Sequence, residues 1–138
     1  MNFDLGLAEE HSQKNPVFYV QYAHARLASI LRKAEEEKLN MANANLSLLV
    51  HPKERELIRE LLFFPELVET ISNNKAVHGL PQFAIRLADK LHSFYDRCRV
   101  LDSENKRLSA ARLQLILAAK ITLSETLNLM GIAAPEKM

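Results

Sequence analysis

Long stretches of this chain repeat apolar residues at the spacing of an α-helix, and few residues interrupt them. The 138 residues include only three glycines and five prolines, and Leu, Ala, Glu, Lys and Arg, which favour helices, dominate the composition. An apolar stripe with a period of 3.6 residues buries one face of a helix against its neighbours. The sequence therefore predicts an all-α fold, a helical bundle of about five helices in a single domain covering residues 1–138.

Prolines and cap residues indicate where these helices begin and end. After a polar lead-in over residues 1–14, the predicted helices span residues 16–38, 52–63, 65–72, 81–100 and 103–130. Asn15 is placed to cap the first helix, and Asp102 or Ser103 to cap the fifth. Gly131 follows the fifth helix as a C-terminal cap, and residues 39–51 and 73–80 are predicted loops.

Three helices carry the predicted core. The stripe of the first consists of Val20, Ala23, Leu27, Ile30, Leu31 and Ala34. The stripe of the fourth consists of Phe83, Leu87, Leu91, Phe94 and Cys98. The fifth helix is apolar on two sides, which predicts that it lies at the centre of the bundle.

Several function classes find no support in the sequence. Cys98 is the only cysteine, so no internal disulfide can form, and a cytoplasmic location is expected. The five histidines show no metal-ligand spacing, and we expect neither a metal nor a cofactor. The longest apolar stretch, Leu113 to Leu123, is too short to cross a membrane, and no secretory signal is visible at the N-terminus.

Charge is nearly balanced overall but unevenly distributed. The formal net charge is +1, which by itself does not indicate a nucleic-acid partner. Residues 86–112 hold seven cations and four anions, whereas residues 53–70 hold three cations and five carboxylates. On charge alone, solvated helix faces of mixed sign are the favoured interpretation.

Two helices place a tyrosine and cations beside their core stripe. Tyr22, Arg26, Ser29 and Lys33 form such a flank on the first helix, and His92, Tyr95 and Arg99 form one on the fourth. Rings that stack on unpaired bases, together with cations that contact phosphates, are typical of single-stranded RNA binding. A tyrosine on a helix flank most often buries its ring and exposes its hydroxyl, so the pattern alone favours a structural role while leaving RNA binding open.

Other polar and aromatic residues of the first helix are expected to be structural. Phe18 and Tyr19 are predicted to pack against the core. His24 falls near the core edge and is predicted to be a hydrogen-bonded structural histidine rather than a catalyst. These residues lie in the string NPVFYVQYAHAR, which spans residues 15–26.

That string, followed by LHSFYDRCRVL and by TLSETLNLMGIAAPEKM, resembles the C-terminal part of bacterial arginyl-tRNA synthetases. The resemblance covers nearly the whole chain and is least diagnostic over residues 39–79. It implies the helical anticodon-binding (DALR) domain of a class I aminoacyl-tRNA synthetase. The His-x-Gly-His and Lys-Met-Ser-Lys-Ser motifs of the catalytic domain do not occur, so the chain is expected to contact tRNA without charging it.

The resemblance also implies a binding site and partners. Residues from the first helix, the fourth helix and the extreme C-terminus would surround the anticodon loop of arginine tRNA. Carried over by position, the contacts are Tyr22, Tyr95 and Met138, with Arg26, Lys33, His92 and Arg99 on the same flanks. The expected partners are arginine tRNAs and the catalytic domain of the same synthetase, with the chain a monomer and no membrane involved. The alternative is a helical protein-interaction bundle whose same flanks dock a catalytic domain or another partner.

Overall fold

A computed structural model describes residues 5–9 and 14–138. Within these ranges the chain forms five α-helices and no β-strand, which confirms the predicted all-α fold. The helices are α1 Leu5–Glu9, α2 Pro16–Glu36, α3 Pro52–Asn74, α4 Gly79–Arg97 and α5 Lys106–Leu129, with a 3₁₀ turn at Leu46–Leu48. The predicted lead-in thus contains the short α1, and residues 1–4 and 10–13 of it lie outside the described ranges.

The prediction of two short helices opened by Pro52 and Pro65 was wrong, because α3 is continuous and contains Pro65 in its interior. A proline there removes one helical hydrogen bond and crowds the preceding turn. Packing against α4 offsets that loss. The ring of Phe64 lies 5.5 Å from the buried ring of Phe83 on α4, and Leu67 is buried in the same interface.

The ends of the other helices agree with the predictions in part. The Asn15 side chain caps α2 by accepting a hydrogen bond from the backbone N–H of Val17 at 3.0 Å, as predicted. The cap of α5 is Asn105, not Asp102 or Ser103, and its side chain accepts from the N–H of Leu108 at 3.2 Å. All three residue types cap helices well, so composition did not distinguish them. α4 ends at Arg97, three residues earlier than predicted.

The C-terminus of α5 has the predicted glycine cap. Gly131 adopts a left-handed conformation with φ of +70°, and its N–H donates to the carbonyl of Asn128 at 3.0 Å. The N–H of Ile132 donates to the carbonyl of Leu127 at 2.9 Å. These paired bonds form a Schellman motif, which reverses the chain direction and sends the following residues back along the bundle.

The core lies where α2, α4 and α5 meet, with α3 against the outside of α4. Phe83, Leu87 and Phe94 of α4 are fully buried, as the predicted stripe requires. α5 packs against α2, α3 and α4, but α4 also packs against each of the other three long helices, so the packing does not single out α5 as the central helix. Its second apolar side is incomplete, since Leu113 is buried but Ile121 is 55% exposed.

A buried ion pair fixes the loop between α4 and α5. The guanidinium Nε of Arg112 lies 2.6 Å from Oε1 of Glu54, which is fully buried at the N-terminus of α3. The other carboxylate oxygen of Glu54 accepts from the backbone N–H of His51 at 2.8 Å and completes a capping box. Arg112 Nη1 also donates to the carbonyl of Arg99 at 2.8 Å. One arginine therefore ties the start of α3 to the segment that follows α4.

None of the helices in the described part of the chain is long and apolar enough to cross a membrane.

Candidate nucleic-acid interface

A row of polar side chains runs along the flank of α2 next to its buried stripe. Tyr22 is 40% exposed, and Ser29 and Lys33 are exposed two and three turns further along. The ring of Tyr22 stacks almost parallel to that of Phe18, with centroids 6.4 Å apart and an interplanar angle of 18°. Two nearly parallel rings thus lie at the start of a row that ends in the cation of Lys33.

The fourth helix supplies a second exposed ring, held against the first helix. The guanidinium carbon of Arg26 lies 3.8 Å from the centroid of the Tyr95 ring, a cation–π contact between α2 and α4. Tyr95 is 39% exposed, whereas its neighbour Phe94 is fully buried. The contact holds a ring and a cation together at the surface, which is the combination that stacking on a base beside a phosphate requires.

Tyr19, one turn before Tyr22, has a structural role. Its hydroxyl donates to Oδ1 of Asp89 on α4 at 2.7 Å, and its ring packs against the core. Burial, followed by this hydrogen bond to a carboxylate, raises the pKa of the Tyr19 phenol well above its ordinary value. Of the two tyrosines, only Tyr22 presents its ring broadly to solvent, as the helical spacing predicted.

A groove separates α2 from the end of α4 and the loop that follows it. Its main part has a volume of about 660 Å³, and a hollow of about 350 Å³ joins it through the shared residues Arg26 and Ser29. We call the two together the α2 groove. Its polar and aromatic lining consists of Tyr22, Arg26, Ser29, Arg32, Lys33, Tyr95, Asp96, Arg97, Arg99, Lys137 and Met138. The side chains of six cations and one carboxylate thus line it, which makes the groove basic.

Arg99 reaches the groove, but not in the predicted way. It was placed on a helical flank, whereas α4 ends at Arg97 and Cys98 continues in an extended conformation. The Nε of Arg99 donates to the carbonyl of Leu101 at 3.3 Å, and its own carbonyl is held by Arg112. The loop conformation, not helical periodicity, therefore sets the position of this cation.

His92 lies at the edge of the site and outside the α2 groove. Its Nε2 is 3.4 Å from Oδ2 of Asp96, one turn further along α4. Together with Tyr22 and Tyr95 it lines a small hollow of about 30 Å³. The structure therefore places His92 beside the two exposed rings, with a carboxylate as its partner.

The last residues of the chain fold back along α2 and close one end of the α2 groove. Gln21 Nε2 donates to the carbonyl of Ala133 at 2.9 Å, and His24 Nδ1 lies 2.8 Å from the carbonyl of Pro135. His24 is only 1% exposed, which confirms the prediction of a hydrogen-bonded structural histidine. Met138, 54% exposed, reaches the groove at the end of this segment.

Two cations hold the carbonyl and carboxylate of the same tail residue. Arg32 Nη1 donates to the backbone carbonyl of Glu136 at 3.0 Å. Lys120 on α5 places Nζ 2.9 Å from Oε1 of Glu136. This hydrogen bond is the main reason that the pKa of the Glu136 carboxyl is lowered. Sequence reasoning missed Gln21, Arg32 and Lys120 as partners of the tail. Nothing local to Gln21 or Arg32 indicates a carbonyl more than a hundred residues away, and the contact of Lys120 with Glu136 depends on the chain reversal after α5.

Cys98 is buried at the floor of the groove, and burial raises the pKa of its thiol. Over residues 5–9 and 14–138, no three His, Cys, Asp or Glu side chains cluster closely enough to hold a metal ion.

The fold and this surface define an all-α bundle with a basic, aromatic groove. Comparison with known proteins gives the family. The DALR anticodon binding domain family matches residues 20–138, and the chain belongs to it.

Similar proteins carry one name. The chain is 49% identical over 138 residues to a protein of Dehalococcoides mccartyi named arginine–tRNA ligase, covering all of this chain and 25% of that protein. A protein of the same name from Salinibacter ruber is 47% identical over 139 residues, with the same coverage. The chain thus spans about a quarter of the length of the curated relatives that it matches.

Solved structures confirm the fold. An arginyl-tRNA synthetase from Thermus thermophilus superimposes with a TM-score of 0.82 at 34% identity, covering all of this chain and 24% of that one. A structure described as an arginyl-tRNA synthetase from Campylobacter jejuni gives a TM-score of 0.86 at 27% identity, covering 99% of this chain and 29% of that one. The family resemblance and the helical architecture expected from the sequence are therefore both confirmed.

Proposed function

We propose that this chain is the anticodon-binding domain of an arginine–tRNA ligase and that its α2 groove receives the anticodon loop of arginine tRNA. Membership of the DALR family and the name shared by its relatives support this function. The observation that carries the choice of surface is the contact of Arg26 with Tyr95 at the edge of the groove. It presents a cation and a half-exposed ring together at the surface.

Each part of the groove has a role in this proposal. Tyr22 and Tyr95 stack on unpaired bases of the loop, since an aromatic ring accepts the face of any base. Lys33 and Arg99 contact phosphates on either side of the groove, and Arg26 contributes charge beside the stacked base. Met138 lies against a base at the opposite end of the groove, where its flexible thioether adapts to the base surface. His92 contacts the RNA at the rim, once it leaves its carboxylate partner.

Arginine activation and transfer belong, in this proposal, to the remainder of a longer protein. The matching relatives are about four times as long as this chain. The catalytic domain of that protein is the expected protein partner, the chain itself is a monomer, and the cytoplasm is its setting. We expect no arginine-dependent exchange of pyrophosphate into ATP by this chain alone. A signal from carefully purified protein at saturating ATP and arginine would contradict this assignment.

Titration of a fluorescently labelled anticodon stem-loop of arginine tRNA tests the binding function. We expect binding at low salt that weakens as salt rises, with a slope reflecting about 0.7 counterions for each phosphate contact to single-stranded RNA. Lys33→Met should lower both the affinity and the slope. Lys53→Met, which removes one cation from α3 outside the groove, is the matched control and should change neither. A folded chain that does not bind the stem-loop at low salt would favour the protein-interaction bundle instead.

A further inference from the structure

We propose that Gln21, His24 and Lys120 are positioning residues for RNA binding, which hold the tail of residues 133–138 in place without touching the RNA. This inference rests on the proposed function, because it explains how one end of the α2 groove is built. Of the four polar contacts that hold the tail, three go to backbone carbonyls and one goes to the side chain of Glu136, so none of them involves Met138. The polar contacts that place Met138 in the groove are therefore made by the residues before it.

Two of these positioning residues bind successive parts of the tail from the same helix. Gln21 and His24 are one turn apart on α2 and bind the carbonyls of Ala133 and Pro135, two residues apart on the tail. Because two side chains of α2 bind alternate carbonyls of the tail, they fix both its path and its register along the helix. Because a backbone carbonyl only accepts hydrogen bonds, His24 must carry its proton on Nδ1 to make this contact.

Lys120 provides the contact that best separates positioning from direct binding. It projects from α5 to the Glu136 side chain, and it does not line the α2 groove. Lys33 does line the groove, carries the same charge and is 64% exposed. A lysine that binds phosphate acts whether or not the tail is present. A lysine that only holds the tail has no effect once the tail is removed.

The experiment combines these variants with a tail deletion. Affinity for the labelled anticodon stem-loop is measured for Lys120→Met, Gln21→Met and Lys33→Met, each in the intact chain and in a chain lacking residues 136–138. We expect Lys120→Met and Gln21→Met each to weaken binding several-fold in the intact chain. In the shortened chain, which lacks Glu136, Lys120→Met should have little effect. For Gln21→Met, whose partner Ala133 is retained, the effect in the shortened chain should fall sharply. Lys33→Met should weaken both chains by the same factor.

His24 is buried, so its variants need a control for folding. His24→Leu removes the donor and should weaken binding, whereas His24→Asn keeps a side-chain N–H near the position of Nδ1 and should restore part of the affinity. Melting temperature and helical circular dichroism establish that each variant is folded. If His24→Leu does not fold, the Lys120 and Gln21 variants at partly exposed positions decide the question.

A second measurement does not depend on RNA. With methionine methyl groups labelled by ¹³C, the Met138 signal is assigned by its loss on deletion of residues 136–138. We expect it to sharpen and move to the position of an unfolded peptide in Lys120→Met, and to stay unchanged in Lys33→Met.

The outcomes separate the two proposals. A tail that detaches in Lys120→Met while the intact chain shows no RNA binding would overturn the proposed function and leave the anchoring role in place. Equal losses of affinity from Lys120→Met with and without the tail would show a direct RNA contact and overturn the inference. An unchanged Met138 signal in Lys120→Met and Gln21→Met would also overturn it.

Discussion

Replacing Tyr95 by alanine tests the proposed groove most directly, and its effect on stability can be estimated first. Tyr95 is 39% exposed, so roughly 120 Å² of side chain is buried, worth ~2 to 3 kcal/mol of unfolding free energy at about 25 cal/mol per Å². The lost cation–π contact with Arg26 accounts for about 0.5 to 1 kcal/mol within that range. A domain of this size tolerates such a loss, and we expect the melting temperature to fall by roughly 5 to 15 °C while the fold persists.

The effect on RNA binding should exceed what the loss of stability explains. A base stacked on one ring contributes about 1 to 3 kcal/mol, which corresponds to a loss of affinity of about 5- to 150-fold in Tyr95→Ala. Tyr95→Phe keeps the ring and its contact with Arg26, so its affinity should stay within about twofold of the original. Fluorescence titration of the anticodon stem-loop, well below the melting temperature of both variants, measures the difference.

Two results would refute this reasoning. If Tyr95→Ala is folded and binds the stem-loop as tightly as the original chain, then no base stacks on this ring. If Tyr95→Phe loses as much affinity as Tyr95→Ala, the hydroxyl and not the ring carries the interaction. A double-mutant cycle with Arg26→Met adds a check on the contact itself, whose coupling energy should be about 0.5 to 1 kcal/mol in thermal or chemical unfolding.

Three further predictions concern the parts that support the groove. Arg112→Met leaves the buried Glu54 carboxylate without its cation and should lower the unfolding free energy by about 3 to 5 kcal/mol, measured by urea denaturation. Adding Glu54→Gln should recover part of this loss of stability, and no recovery would argue against the ion pair. Gly131→Ala should cost about 1 to 2 kcal/mol through its left-handed backbone alone, since nothing lies within 4 Å of the added Cβ, and an unchanged denaturation midpoint would contradict this. Because the folded pKa of Glu136 is lowered, its contact with Lys120 contributes above the ordinary carboxyl pKa and is lost as pH falls through the lowered value. NMR of the methyl-labelled tail in acid should therefore show detachment, and Lys120→Met should abolish the pH dependence.

The sequence predicted the helices wherever local pattern and packing agree. The stripes of α2 and α4 were identified correctly because burial of one face imposes the helical period. The error at α3 arose because a proline is most often found at the first turn of a helix, and Pro65 sits mid-helix only through the packing of α3 on α4. That packing joins residues distant in sequence, which local reasoning does not see.

For the candidate site, helical spacing separated Tyr22 from Tyr19 and Tyr95 from Phe94, and the structure exposes the residues of each pair that the spacing selected. It placed Arg99 in the groove for the wrong reason, because the helix ends before this residue and the loop brings it there. The partners of the tail were beyond prediction, since they depend on how the Schellman motif at Gly131 directs the chain.

The contacts between the tail and α2 also determine when the groove is completed during folding. Gln21, His24 and Arg32 bind carbonyls that are 112, 111 and 104 residues further along the chain. Closing a loop of that length is entropically unfavourable until the intervening helices have packed, whereas each helix forms from contacts a few residues apart. We therefore expect the bundle to form first and the tail to dock last, onto a surface already assembled. In the native state the tail should also detach while the bundle stays folded. Amide hydrogen exchange at the tail should therefore give an opening free energy well below the free energy of global unfolding.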